Sequence, residues 1–188
     1  MRCPGGVRCA NVLSRIGRSV NMRIAFLTAQ YTHKRFNENF FVVDRHFGVF
    51  PDVGLATAAS VARLHGAEVR FWDAYAAQME LDEVLAQMRR WGPDLLAGSF
   101  HSVPSIMDTI RWAGHIKQEL EIPLLLGGHE VNHYGEDVMV HEEVDHVLDG
   151  RAAQVLPPYL DALEREGIRR VAEGATVTIT NAVLATTD

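Results

Sequence analysis

The stretch from Ile122 to His133, I-P-L-L-L-G-G-H-E-V-N-H, restricts the fold more than any other part of the chain. A short, wholly apolar run suits a buried parallel strand, because helices cover both faces of such a strand. Two glycines directly after it let the backbone bend tightly or come close to a ligand. In open α/β sheets, ligands bind beyond the carboxyl ends of the strands. Gly127, Gly128 and His129 are therefore expected at such a rim.

The rest of the chain alternates in the same way. Arg23–Thr28 reads as a first strand and Glu68–Trp72 as a second, whose alternation points to an outer position. Asp94–Ser99 reads as a third strand, the leucine run before Gly127 and Gly128 as the fourth and Val144–Leu148 as a fifth, closed by Asp149 and Gly150. Helical spacing covers Pro51–His65, with Asp52 as N-cap and Gly66 as terminator. It also covers Leu81–Trp91, a segment from Pro104 to about Leu120, and Ala152–Glu166, where Pro157 and Pro158 are expected to delay or bend the first part. A short helix or irregular crossover is expected over Tyr134–Glu142. Strands alternating with helices predict a three-layer α/β sandwich, Rossmann-like and of the flavodoxin type. Its five-stranded, mainly parallel sheet is expected in the order 2-1-3-4-5.

Charge and cysteine content narrow the function. The chain of 188 residues has a formal charge of −6. Residues 1–21 contain Arg2, Arg8, Arg15 and Arg18 and no acid, so the remainder carries −10. So acidic a body argues against nucleic-acid binding, which needs a basic face. No stretch is long and apolar enough for a membrane helix. Cys3 and Cys9 are the only cysteines, which disfavours a disulfide framework or a cysteine-ligated metal centre. Residues 1–21 superficially fit an organellar targeting peptide, but Met22 stands directly before the first strand. The expectation is a disordered extension before a domain over residues 22–166, with residues 167–188 as a tail that can add an edge strand. The default location is the cytoplasm.

Between the first strand and the first helix lies a long loop with Phe36, Phe40, Phe41, Phe47 and Phe50. Loops this long are often functional. The aromatic groups can wall a flat ligand or anchor the loop to its own domain. The other rim segments are Asp73–Tyr75, Ser99–Ser102, Gly127–His133 and Asp149–Arg151.

Several uses of this rim are disfavoured. No G-x-G-x-x-G follows the first strand, and neither Lys34 nor Lys117 stands in a phosphate-loop context. Thr28 and Ser99 occupy places where a phospho-receiver needs acids. Ser99-Phe100-His101-Ser102 lacks the glycine-flanked nucleophile elbow. Five histidines, His33, His46, His101, His129 and His133, fall on rim segments. Imidazoles suit cobalt, zinc or iron, though no contiguous signature joins these five. His65, His115, His141 and His146 have no special claim.

The ordered set of segments resembles the N-terminal cobalamin-binding domain of B12-dependent radical SAM proteins, of the magnesium-protoporphyrin ester cyclase type. The matching pieces are M-R-I-A-F-L at Met22–Leu27 and P-D-V-G-L-A-T-A-A-S-V-A-R-L-H-G-A-E-V-R-F-W-D-A at Pro51–Ala74. G-P-D-L-L-A-G-S at Gly92–Ser99, I-P-L-L-L-G-G-H at Ile122–His129 and V-D-H-V-L-D-G at Val144–Gly150 complete them. The resemblance implies a Rossmann-like sheet holding cobalamin at its carboxyl rim, with the nucleotide tail entering the sheet region. It implies cofactor-binding roles for Ser99, Phe100, His101, Gly127, Gly128, His129, Asp149 and Gly150. Ser99 corresponds to the serine after the third strand and would bond near the benzimidazole; Gly127 and Gly128 leave room for the tail. His33 and His101 are candidate cobalt ligands.

Two departures stand out. The D-x-H-x-x-G motif that supplies an axial histidine in mutase-type relatives is absent after Thr28. Gly150 is followed by Arg151-Ala152-Ala153, where the family carries a glycine–glutamate run. A radical SAM cluster needs three closely spaced cysteines and none follows Cys9, so no iron–sulfur cluster is expected. The chain is therefore expected to be a binding or carrier module for a separate corrinoid-dependent methyltransferase or radical enzyme, with no complete catalytic centre of its own. The alternatives are a small metal-dependent α/β enzyme using the histidine-rich rim, and an interaction domain with no bound cofactor.

Overall fold

The computed structural model describes residues 22–30, 51–100 and 105–166. The extension, the aromatic loop with His33, the segment with His101 and the tail lie outside the described residues.

Five parallel strands form one sheet in the order β2-β1-β3-β4-β5, the arrangement expected from the sequence. They are β1 (Arg23–Thr28), β2 (Glu68–Asp73), β3 (Leu95–Ser99), β4 (Leu124–Gly127) and β5 (His146–Leu148). Helix α1 (Val53–Leu64) follows β1 in the chain. Between β2 and β3 come α2 (Ala74–Ala77) and α3 (Leu81–Trp91), then α4 (Ile106–Leu120), α5 (Val131–Met139) and α6 (Ala152–Glu166). The short α2, capped by Asp73 through the Ala76 N–H at 2.9 Å, was not anticipated. The predicted crossover over Tyr134–Glu142 begins earlier, at Val131, and kinks at Tyr134. Helix α6 continues through Pro157 and Pro158.

Alternation along the strands divides the core into two layers. Ile24, Phe26, Leu95, Ala97, Leu125 and Leu148 face α1 and α6. Ala25, Leu27, Leu96, Leu124, Leu126 and Val147 pack with α3, α4 and α5. His65 Nε2 meets Asp161 Oδ1 at 3.0 Å and ties the end of α1 to α6.

The amino ends of the strands are pinned by one device used twice. Asp94, just before β3, accepts from the Arg23 N–H that opens β1, at 2.7 Å. Asp145, just before β5, accepts from the Leu124 N–H that opens β4, at 2.7 Å, and takes Lys117 Nζ at 2.8 Å on its other oxygen. These carboxylates satisfy strand donors that the ladder leaves free. With these acids bound in this way, β3 and β5 start at Leu95 and His146, after the Asp94 and Val144 expected from the sequence. With their amino ends pinned, all five strands deliver their carboxyl ends to one rim.

Candidate functional site

At that rim a cavity of about 340 Å³ opens between the sheet and the first turns of α1 and α6. This lies within the size range of small-ligand sites, about 300–1,000 Å³. The sheet contributes Phe26, Ala97, Leu125 and Leu148, and the helices contribute Leu55, Ala58, Val155 and Leu156. The wall is thus mainly apolar, suited to a flat, weakly polar group.

Glycine shapes its entrance. Gly54, Gly98, Gly127, Gly128 and Gly150 all line it. Gly128 has φ +113°, and a Cβ there would stand 3.2 Å from the Ser99 Cβ. Only glycine suits both the conformation and the approach. At Gly127 a Cβ would meet the Leu148 carbonyl at 3.6 Å, an ordinary contact. Its bare backbone therefore leaves room for a ligand.

The polar content is small. Ser99 is on the wall, and its Oγ donates to Asp52 Oδ2 at 2.5 Å, both residues being buried. The other Asp52 oxygen accepts from the Leu55 N–H at 2.8 Å and caps α1. Arg151, exposed at the start of α6, and His129, exposed just after β4, complete the polar lining. The His129 ring meets His133 edge-on, with centroids 5.2 Å apart.

Of the residues singled out in the sequence, the fold brings Ser99, Gly127, Gly128, His129 and Gly150 onto one cavity. It does not bring Phe100 there. Phe100 is buried in the opposite layer with Ile110 and Trp112, because it follows Ser99 directly and turns to the other face. Asp149 is half-buried beside the cavity and does not line it. His101 and His33 lie outside the described residues.

Sequence reasoning missed the contribution of α1. Asp52 was legible as a cap, but not as the partner of Ser99. Gly54 and Ala58, small residues one turn apart, were the available signal for a helix that leaves space at its start. Arg151 was legible only as a departure from the family pattern, and it is a wall residue.

Beneath the wall, on the same sheet face, His146 and Tyr159 are fully buried with their rings 5.5 Å apart. Neither ring nitrogen of His146 nor the Tyr159 hydroxyl has a hydrogen-bond partner. Burial lowers the His146 pKa below its ordinary value, with Lys117 acting the same way and Asp145 opposing. Burial, with Asp145 adding to it, raises that of Tyr159.

Fold and cavity together define a flavodoxin-like α/β domain with an open cavity beyond the carboxyl ends of its parallel strands. A family profile described as "B12 binding domain" matches residues 41–158, more than half of the chain. The chain belongs to this family of B12-binding domains. No curated protein matches it.

The cavity fits the cofactor that the family implies. Its apolar walls suit the planar base of a nucleotide tail, and its glycine entrance admits the linking backbone. Arg151 and the amino end of α6 bring positive potential to the cavity mouth, which would suit an anionic linker. Bound cobalamin supplies a cobalt centre for methyl or radical chemistry; the protein supplies position and electrostatics. Among the described residues no helix is long and apolar enough to cross a membrane. Among them, too, no group of three or more His, Cys, Asp or Glu residues could hold a metal ion. With two cysteines in its whole length, the chain lacks the ligands for a radical SAM cluster.

Proposed function

We propose that this domain holds cobalamin for a separate methyltransferase or radical enzyme, in the manner of the B12 domains that accompany radical SAM proteins of the cyclase type. The observation that carries the reading is the glycine-walled cavity at the carboxyl rim, bounded by Ser99, Gly127, Gly128 and Gly150. In this reading the apolar interior takes the nucleotide base and Arg151 faces the phosphodiester. The corrin stays outside over the rim, and His33 and His101 are the candidate cobalt ligands from the sequence. The partner enzyme supplies the substrate and any further redox centre.

The test is titration of the full chain with cobalamin, followed by desalting and an absorption spectrum. Retention of about one corrinoid per chain, lost in a folded Gly127→Trp variant, is the expected result. A folded protein that retains no corrinoid in any cobalt oxidation state would overturn the reading.

A further inference from the structure

On one side the sheet ends at β2, and that edge is open. The Glu68 N–H donates to the Met22 carbonyl at 2.9 Å, so the backbone groups of Glu68, Arg70 and Trp72 turn towards β1. Backbone direction alternates along a strand, so the N–H and C=O groups of Val69 and Phe71 turn outwards. Among the described residues no strand pairs with them. The side chains of both lie on the α1 face, in register with Ile24 and Phe26, and Phe71 is 37% exposed. An open edge with an apolar neighbour is a template for a further strand.

The topology decides which edge the chain reaches after α6. Helices α1 and α6 cover one face of the sheet, and α3, α4 and α5 cover the other. Crossovers between parallel strands are nearly always right-handed. On the α1 face a crossover has that hand only when it runs in the direction from β1 to β2. A parallel strand following α6 therefore belongs outside β2 and not beside β5. Helix α6 already stands against α1, and its Asp161 meets His65 at the end of that helix.

The remaining chain supplies an occupant. Residues 167–188 follow α6 directly and lie outside the described residues. Residues 175–180 read A-T-V-T-I-T, a β-branched run that alternates apolar residues with threonine. Residues 167–174 before it reach about 26 Å when extended. The way past α1 to the outside of β2 is about 20 Å, from one helix spacing and two strand spacings.

We infer that residues 175–180 add a sixth parallel strand to the open edge of β2. Val177 and Ile179 lie on the α1 face beside Phe71. Thr176, Thr178 and Thr180 turn their backbone groups to Val69 and Phe71, and their side chains to the groove of Arg70, Trp72 and Gln87. The inference is independent of the corrinoid reading.

The experiment is NMR on the full chain, reading amide hydrogen exchange and proton–proton contacts. Contacts between residues 69–71 and 176–180 are expected in the wild type, with slow exchange of the Val69 and Phe71 amides. Thr178→Pro removes one N–H from the new ladder. Both amides should then exchange at least about tenfold faster, while those of Leu96 and Leu124, bonded inside the sheet, stay protected. Fast exchange of Val69 and Phe71 in the folded wild type would overturn the inference. So would the lack of those contacts, or unchanged protection in folded Thr178→Pro. Protection that disappears on dilution would assign the edge to a second copy of the chain and overturn it equally. If Thr178→Pro loses the protection of Leu96 and Leu124 as well, the wild-type contacts decide alone.

Discussion

Ser99 and Asp52 are 47 residues apart in sequence and 2.5 Å apart in the fold. One carboxylate thus joins the end of β3 to the start of α1, and the cavity lies where they meet. Asp52→Ala removes a helix cap, worth about 1 kcal/mol. It also leaves a buried hydroxyl without its acceptor, a further penalty of about 1–3 kcal/mol. The total loss should be about 2–4 kcal/mol by urea denaturation. Asp52→Ala combined with Ser99→Ala should lose about 1 kcal/mol less than the sum of the single variants. Simple additivity would show that the contact contributes nothing.

The two neighbouring glycines should respond differently. Gly128→Ala places a side chain at φ +113° against Ser99 and should destabilise the fold by about 1–2 kcal/mol. Gly127→Ala meets only an ordinary contact and should stay within about 1 kcal/mol of wild type. Thermal melts of the pair decide this, and equal losses would contradict the described backbone.

Arg151 is exposed at the cavity mouth, so its attraction for an anionic tail is screened by salt. Arg151→Glu should weaken cobalamin binding by about three- to tenfold at low ionic strength, with the difference shrinking at about 1 M salt. Cobinamide, which lacks the phosphodiester-linked nucleotide, should be affected little. An equal effect on both ligands would place the guanidinium elsewhere.

His146 gives the fold a pH dependence whose sign follows from its burial. Its pKa is lowered in the folded protein from an ordinary 6.5, by burial first and by Lys117, against Asp145. Below pH 6.5 the unfolded chain takes up a proton that the folded one does not, so stability falls as the pH drops. The steepest slope from this group is about 1.4 kcal/mol per pH unit. In His146→Leu that part of the slope should disappear. Because no hydrogen bond is lost, the variant should also be at least as stable as wild type at neutral pH. Denaturation curves from pH 8 to about 5 would show an unaltered slope if His146 were not the group responsible.

Local pattern made most of the framework legible. Helix Leu81–Trp91 and strand Arg23–Thr28 match their predicted bounds, because amphipathic spacing and an apolar run are written in adjacent residues. The diglycine after β4 was readable for the same reason. The partnership of Asp52 with Ser99 was not, since a hydrogen bond across 47 residues leaves no periodic mark. The same holds for Asp94 with Arg23 and for Asp145 with Leu124. Phe100 shows a different difficulty. Nearness to the rim in sequence suggested the site, but consecutive residues point to opposite faces, and Phe100 joins the other layer.

The sheet order β2-β1-β3-β4-β5 has a consequence for how occupancy can be seen. Phe26, Ser99, Gly127 and Leu148 come from four different strands, all joined by parallel pairing between distant segments. No fragment of the chain can assemble their wall in advance, so the cavity and the global fold appear and vanish together. A ligand that enters it is linked to the whole unfolding equilibrium and adds about 2.7 kcal/mol at one hundred times its Kd. For this domain, a shift in the melting temperature is itself a measure of affinity.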